Sequence, residues 1–307
     1  MTTLVAPAVV EGRAAEPSPR AALWRAGLER LQDLPERLDP FLALAVWDRR
    51  PTLRTATHVA LLLRFATGGP APEHPTLAAL SAALTALVSD PRLPRLVDRK
   101  IGEIAYFAWL TSLRRGRPDA VDLSDVLASR LRHPHPPGVE RTAHGRFLLA
   151  WHVRALGLDV AAGSPADYLD ELAPFRRRLR FLAGLDEALE ILELSVLVAG
   201  ARHAGLGWQR ELAGAPPLAG LGDLVEGALA VLLRGEEALP LAAMLASSHL
   251  LDAGPPLLRR LALRRLCALW TGRSAVAEGS ERTSPANEAG AAGVVVALAA
   301  GLAETGP

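Results

Sequence analysis

The sequence predicts an all-α protein, and three of its features support that prediction. From residue 20 onward, apolar residues recur at intervals of three and four, the spacing that places them on one face of a helix. No stretch alternates apolar and polar residues in the way that a half-buried strand would. Glycine or proline interrupts the helical pattern at intervals of roughly twenty residues, where helices are expected to end.

Each predicted helix combines this periodicity with a signal for where it starts or stops. The arginines before Gly116 and Pro118 are typical of a helix end, and Ser164 followed by Pro165 is typical of a start. Pro174 is expected to divide the segment that begins there. In chain order, the predicted helices cover residues 20–34, 39–50, 52–67, 74–90, 94–116, 122–132, 140–157, 164–184, 185–205, 221–235, 239–254, 255–272 and 291–303.

The pattern indicates one main domain and leaves two architectures open. Residues 1–19 are expected to be a mobile segment, 20–272 an all-α domain, 273–290 a loose linker, and 291–307 a last helix and tail. One architecture is a closed α/α toroid or irregular helical barrel with a central cavity. The alternative is an open solenoid of stacked helical hairpins, although no known repeat signature occurs.

Composition excludes several classes of protein. The net charge of +1 is too balanced for a protein that binds nucleic acid through phosphate contacts. A single cysteine, Cys267, excludes an internal disulfide and a multi-cysteine zinc site. The start of the chain lacks the pattern of a signal peptide, and the longest apolar run near the end, VVVALAAGLA, is too short to cross a bilayer. The sequence therefore predicts a cytoplasmic protein without membrane partners.

Charged and aromatic residues within apolar helices are the candidates for a functional site. Glu103 and Glu193 lie in helices that are apolar nearly all round, so an interior position is as plausible as a solvated one, and Glu190 shares a face with Glu193. His144 falls mid-helix on a stripe with Phe147 and Trp151. The predicted catalytic residues are Glu103, His144 and Glu193. The alternative for each histidine is a structural side chain in the core with its hydrogen bonds made. The alternative for the carboxylates is a position on the solvent-exposed face of a helix.

Residues 100–106 depart from the arginine-rich usage of the chain. Lys100 is the only lysine, and Tyr106 is one of two tyrosines. Lysine can lose its proton when buried, whereas arginine in practice cannot, so a retained lysine suggests a role that arginine would not fill. The predicted substrate-binding residues are Lys100, Tyr106, Arg141, Arg146, Trp151 and Glu190.

Cofactor motifs are absent. His133 and His135 lie in a proline-rich loop, but two imidazoles without a third ligand make a poor metal site. The sequence contains no GxSxG, no phosphate-binding GxxxxGK[ST] and no dinucleotide-binding GxGxxG after a strand. No metal and no other cofactor are therefore predicted.

Two segments carry a resemblance to known proteins. RKIGEIAYFAWL followed by RTAHGRFLLAWHVRALG resembles a group of uncharacterised all-helical actinobacterial proteins, many of them linked to natural-product pathways, that pair a K-x-x-E helix with a later T-x-H helix. The chain is also similar to a subunit of the two-subunit enzyme that closes the aziridine ring of azinomycin-type antibiotics by displacing sulfate. The resemblance implies a helical, cofactor-independent enzyme of antibiotic biosynthesis.

These features lead to two functional hypotheses. The first is a cofactor-independent enzyme of bacterial secondary metabolism, with a small polar substrate in a cavity lined by Glu103, His144, Glu193 and Tyr106. A carboxylate or imidazole would take a proton from an amine or hydroxyl nucleophile for a displacement or cyclisation, and arginines would hold an anionic leaving group. The alternative is a non-catalytic helical scaffold or interaction protein. A protein partner, as a hetero- or homodimer, is compatible with both.

Overall fold

The structure is a computed structural model, which describes residues 18–38, 52–66, 74–95, 103–114, 123–132, 142–160, 162–176, 185–276, 295 and 297–302. No strand occurs within these ranges, and the prediction of an all-α fold is confirmed. The predicted helix 39–50 lies outside the described residues. None of the described helices is long and apolar enough to cross a membrane.

The described helices follow the predicted order with differences at their ends. The first predicted helix is interrupted after Glu29, and two short helices lie between residues 206 and 220, where none was predicted. The helices are α1 Pro19–Glu29, α2 Leu34–Arg37, α3 Thr52–Ala66, α4 Pro75–Ser89, α5 Ile104–Arg114, α6 Ser124–Leu131, α7 Ala143–Leu156, a 3-10 helix Pro165–Glu171, α8 Ala173–Arg176, α9 Leu185–Ala204, α10 Gly207–Ala213, α11 Pro216–Ala219, α12 Leu221–Leu232, α13 Ala238–Leu251 and α14 Pro256–Val276, followed by helical residues at 295 and 297–302.

Local sequence signals explain where α7 begins and ends. The Thr142 hydroxyl accepts a hydrogen bond from the backbone N–H of Gly145 at 3.0 Å, which caps the first turn. Gly157 ends the helix at φ 71°, a left-handed conformation that glycine adopts without steric cost. Since α7 begins at Ala143, the mid-helix position predicted for His144 is wrong, and this histidine lies in the first turn.

Of the two prolines interpreted in residues 164–184, the first was placed correctly and the second was not. Ser164 and Pro165 do start a helix, but it is a 3-10 helix that ends at Glu171. Pro174 lies within α8, and the break falls at Leu172 instead. A proline near a helix start costs little, because the N–H that it lacks would have no intrahelical partner there.

The helices close into one bundle around a common core. α9 packs against α13, which also contacts α12 and α14, while α5 lies between α3 and α7. Near the ends of the chain, α1 packs against α14, and Arg20 Nε donates a hydrogen bond to the carbonyl oxygen of Ala300 at 2.9 Å. In an open solenoid each unit contacts only its neighbours along the chain. The contact between the first and last described helices therefore favours the closed architecture.

Candidate functional site

The centre of the site is the carboxylate of Glu193, which is fully buried on α9. Its Oε1 accepts a hydrogen bond from Arg54 Nε at 2.9 Å and lies 2.8 Å from His58 Nε2. Its Oε2 lies 2.6 Å from His144 Nε2, and the Tyr106 hydroxyl is 3.3 Å from both oxygens. We call these five residues the Glu193 cluster. Four side chains thus meet one carboxylate, which has about four acceptor positions.

Three helices bring these partners to α9. Arg54 and His58 are four residues apart on α3, so they share one face of that helix. Tyr106 lies in the first turn of α5 and His144 in the first turn of α7. From Ile191 to Ala199, α9 is buried all round, and the Glu193 side chain has no exposed surface. Its charge has to be satisfied by these neighbours.

The neighbours keep Glu193 ionised. Burial alone would raise the pKa of this carboxyl group, but the charge of Arg54 and the hydrogen bonds from His144 and His58 hold it well below its usual range. Burial is the largest single effect on Arg54 and would lower its pKa, but the charge and hydrogen bond of Glu193, together with Tyr106 and Asp186, outweigh burial and raise the pKa. Glu193 and Arg54 therefore form a charged pair at neutral pH.

The ionised carboxylate fixes the protons of both histidines. A carboxylate without a proton only accepts hydrogen bonds, so the Nε2 atoms of His58 and His144 must both carry hydrogen. Their Nδ1 atoms are buried and have no hydrogen-bond partner among the described residues. In a neutral ring this leaves each Nδ1 as an acceptor with a free lone pair. An unsatisfied buried polar atom costs about 1–3 kcal/mol, so a reason for keeping two of them is needed.

A line of carboxylates leads from the surface to Glu193. Asp186, Glu190 and Glu193 are separated by four and three residues on α9 and lie within about 60° on one face. The side chain of Asp186 is 93% exposed, Glu190 is half-buried and Glu193 is fully buried. Arg54 contacts both ends of this line, since its Nη1 lies 3.4 Å from Asp186 Oδ1. Acidic side chains thus continue along this face of α9 from the buried Glu193 to the exposed Asp186.

Glu190 has no hydrogen bond to any described residue, although it lies between two carboxylates that contact Arg54. Burial raises the pKa of its carboxyl group, and the negative charge of Glu193 adds to this, while His144 and Arg54 act in the opposite direction. These interactions place Glu190 within electrostatic range of His144. The group is available to a ligand in a way that Glu193 is not.

A third buried imidazole lies nearby, on α7. His152 Nδ1 is 3.1 Å from the hydroxyl of Ser112, and its ring stacks on Trp109 with centroids 5.0 Å apart. Burial lowers its pKa to about 3, against the opposing effect of Glu193, so the ring is neutral at physiological pH. Its hydrogen bond and stacking match the alternative that the sequence offered, a core histidine.

The structure brings together only part of the predicted site. His144, Glu193 and Tyr106 meet directly, and Glu190 lies one turn away on α9. Glu103 was expected to share a cavity with His144, but no hydrogen bond joins the two: its Oε2 accepts one from the backbone N–H of Leu53 at 2.9 Å. Glu103 thus caps the start of α3.

Two predicted substrate-binding residues have other contacts. Trp151 is buried in the core between Phe147 and Trp208, with ring centroids at 5.7 and 5.2 Å. Arg146 pairs with Glu171 and lies over the ring of Tyr168 at 5.3 Å, on the side of the 3-10 helix. No hydrogen bond, ion pair or ring contact joins either residue to the Glu193 cluster. Lys100 and Arg141, together with the proline-loop histidines His133 and His135, lie outside the described residues.

Sequence reasoning missed Arg54 and His58. The signal was present, because the two residues are four apart in TLRTATHVALLLRFA, a helix that is otherwise apolar or neutral before Arg64. A basic residue and an imidazole on one face of such a helix suggest a buried acid, in the same way that Glu193 suggests a buried base. Only their pairing with a helix more than a hundred residues later in the chain could reveal this.

No family model, curated protein or solved structure matches this chain. The resemblance to actinobacterial natural-product proteins and to the aziridine-forming enzyme therefore stays a prediction. Within the described ranges, no three His, Cys, Asp or Glu side chains are arranged to hold a metal ion. The geometry of the Glu193 cluster is the basis for assigning a function.

Proposed function

We propose that this protein is an enzyme that transfers a proton to or from a small polar substrate, with His144 and His58 as its acid–base groups. One observation supports the proposal most: two buried imidazoles share one carboxylate through Nε2, and their Nδ1 atoms have no partner among the described residues. An unpaired ring nitrogen alone does not mark a site, since the buried Nε2 of the core histidine His152 also has no partner among the described residues. His58 and His144 differ from His152 because one ionised carboxylate holds both of them and fixes their tautomers. Here the free nitrogen is the one that can accept or donate the transferred proton.

The carboxylate has a recognisable role in such an arrangement. It holds the imidazole in one tautomer and one orientation, and its charge stabilises the imidazolium that forms when the free nitrogen takes a proton. The Arg54 guanidinium and the Tyr106 hydroxyl hold the carboxylate in turn. General acid–base catalysis by a positioned side chain typically contributes about 10²–10⁴-fold to a rate.

The reaction that this chemistry fits best is deprotonation of an amine or hydroxyl nucleophile. A displacement or cyclisation would then follow, within bacterial secondary metabolism. In aziridine closure, the nitrogen lone pair attacks the carbon that bears the sulfate, the C–O bond at that carbon breaks, sulfate leaves with the bonding electrons, and the proton on nitrogen passes to the imidazole. Release of sulfate from 2-aminoethyl hydrogen sulfate tests this narrower reaction.

The predicted role of arginines in holding an anionic leaving group has less support than the proton transfer. Arg54 is already engaged by Glu193 and Asp186, and Arg146 is paired with Glu171. The proposal therefore centres on the acid–base step and leaves the electrophile open.

Alkylation with iodoacetamide tests the acid–base proposal without a known substrate. In a Cys267→Ser background, we expect mass spectrometry to find carboxamidomethylation at Nδ1 of His144 or His58. The matched control is His203, an exposed histidine on the same helix as Glu193. Reaction at His203 with none at His144 or His58 would show that small molecules do not reach the cluster, and would overturn the proposal.

A non-catalytic scaffold is the second candidate, and one observation favours it. Leu257 and Leu261 are 59% and 44% exposed on α14, with Arg260 and Arg264 exposed beside them. Exposed leucines four residues apart form an apolar stripe of the kind found where a helix meets a partner. In that case the Glu193 cluster is structural, and both buried histidines stay unmodified in the alkylation experiment.

A further inference from the structure

We infer that the substrate of this site carries a primary ammonium group, for which Glu190 is the counter-ion. The inference rests on the proposed function and specifies its substrate class. It is drawn from three features of the described residues: which hydrogen-bonding groups are left over, the balance of charge on one face of α9, and the depth at which the free imidazole nitrogens lie.

The groups left over around the Glu193 cluster are acceptors. The carboxylate of Glu193 is filled by four partners, and Arg54 is shared between two carboxylates. Glu190 and the two Nδ1 atoms, by contrast, have no donor among the described residues. An ammonium group has three N–H donors and no acceptor, so it complements this set, whereas a carboxylate or sulfate offers only further acceptors.

The charge on this face of α9 has the sign that attracts a cation. Among the described residues, Asp186, Glu190 and Glu193 supply three negative charges and Arg54 one positive charge, which leaves two negative charges in excess. Arg54 contacts Asp186 and Glu193, whereas Glu190, which lies between them on the helix, has no ion pair with any described residue. A half-buried charge of this kind gains most from an ion pair with a ligand.

A second, independent feature distinguishes this site from an ordinary acidic surface. His58 and His144 are 2% and 5% exposed, and the Nδ1 atom of each is buried without a partner among the described residues. A surface cluster of carboxylates has no such buried acceptors, and water satisfies it. A cation that donates to Glu190 on one side and to an imidazole nitrogen on the other would satisfy both. The same contact would place the nitrogen of the substrate beside its base.

The test uses three small probes of one length: n-butylammonium, butyrate and 1-butanol. Saturation-transfer NMR and calorimetry on the full-length protein should show that n-butylammonium binds at one site per chain, more tightly than 1-butanol, while butyrate does not bind. We expect Glu190→Gln to weaken n-butylammonium binding at least tenfold, because the ammonium group loses its counter-ion. Glutamine keeps the size of the side chain, so the change isolates the effect of the charge. Glu211→Gln is the charge-matched control, since Glu211 is exposed on α10, beyond the opposite end of α9.

The outcomes separate this inference from the proposed function. Equal binding of n-butylammonium and butyrate, no binding of n-butylammonium, or unchanged binding in Glu190→Gln would each overturn the ammonium inference. Alkylation of His144 or His58 by iodoacetamide is measured in the same Glu190→Gln protein, whose circular dichroism confirms folding. If alkylation persists while the ammonium preference is missing, the acid–base site stands and its substrate is of another class. If alkylation is absent from the wild-type protein, the proposed function fails by itself.

Discussion

The most consequential single residue is Glu193, because its charge has no access to water. A buried ion pair does not by itself make a protein stable, since desolvation of both charges offsets their attraction. Removing one partner is different, because it leaves the other charge buried and unpaired. Glu193 also orients two histidines, so its replacement affects the site and the fold together.

Replacement of Glu193 by glutamine should therefore be strongly destabilising. We expect Glu193→Gln to lower the free energy of unfolding at pH 7 by about 3 kcal/mol, because Arg54 loses its buried counter-charge. Urea unfolding followed by circular dichroism measures this. The control is Glu171→Gln, which removes the partner of Arg146 from a half-exposed pair and should cost only about 0–1 kcal/mol. Similar costs for the two variants would contradict a charged, buried Glu193.

Acid should destabilise the protein through histidines whose pKa is lowered by folding. The pKa of His152 is about 3 and that of His249 about 4, both lowered mainly by burial from an ordinary value near 6.5. As the pH falls, the unfolded chain binds protons at these histidines before the folded chain does, which favours unfolding. Above pH 6.5 both states are largely unprotonated there, so this loss of stability is absent. Stability is lost as the pH falls from about 6.5 toward 4 for His249 and toward 3 for His152.

Each such histidine contributes a slope of up to about 1.4 kcal/mol per pH unit within its window. Urea unfolding at pH 7, 6 and 5 measures that slope. We expect it to be smaller in His152→Phe, which keeps an aromatic ring against Trp109 but binds no proton. An unchanged slope in that variant would mean that His152 is not buried in its neutral form. Below about pH 4.5, protonation of Glu193 should add to the loss, since its pKa is lowered in the folded state.

At the residue scale, the sequence predicted which side chains belong to the site better than it predicted which residues they contact. Glu193 and His144 stood out because a charge or an imidazole within an apolar helix needs a partner, and Tyr106 stood out as a rare residue type. Glu103 was assigned to the site by the same reasoning, yet it satisfies its charge at the backbone of α3. Sequence patterns show that a polar side chain is buried, but they do not show which distant helix will meet it.

At the scale of helices, Glu103 links two elements that both contribute to the Glu193 cluster. It lies directly before α5, and its carboxylate accepts a hydrogen bond from the backbone N–H of Leu53 in the first turn of α3. Backbone N–H groups in a first turn have no partner within the helix, and a negative charge there also favours the helix dipole. The residue after Leu53 is Arg54, so this cap holds the turn that presents the guanidinium to Glu193.

Loss of this cap should loosen the first turn of α3. We expect Glu103→Ala to lower the free energy of unfolding by about 1 kcal/mol, as for other lost caps, and to speed hydrogen exchange at the Leu53 amide. Glu103→Gln should retain most of the stability, because its amide oxygen can still accept. Thr142→Ala removes the cap of α7 instead, and should leave exchange at Leu53 unaffected. A protected Leu53 amide in Glu103→Ala would refute the capping role.

Helices with a long periodic pattern were predicted closely, and short ones were not. The predicted 52–67 and 185–205 end within one residue of α3 and α9. α10 and α11 were missed because seven and four residues are too few to establish a period, and the glycines and prolines around them are typical of a loop. In these two cases tertiary packing, more than local pattern, sets the helix.

At the scale of the whole molecule, helix periodicity was sufficient to predict the all-α class but not the choice between closed and open architectures. Both bury one face of each helix, so both produce the same spacing of apolar residues. What separates them is contact between helices far apart in the chain. Here α1 meets α14 and residues 297–302, a contact that the spacing of apolar residues does not predict.

The closure of the bundle depends on Gly27 of α1. A methyl group at this position would lie 3.1 Å from the backbone nitrogen and 3.3 Å from Cα of Ala297, so α1 and the last described helix approach closely there. We expect Gly27→Val to cost about 1–3 kcal/mol of unfolding free energy, as for other overpacked sites, because a backbone has little freedom to move.

Gly227 provides the matched test. It lies exposed on α12 with no atom within 4 Å of an added methyl group, so Gly227→Ala should stabilise the protein by about 0.5–1 kcal/mol through helix propensity alone. Gly27→Ala gains the same propensity and has to move Ala297, so its net effect should be smaller than that of Gly227→Ala. Urea unfolding of the three variants decides the question. If Gly27→Val is as stable as the wild type, α1 and residues 297–302 do not pack closely, and the bundle is open at the point where its two ends meet.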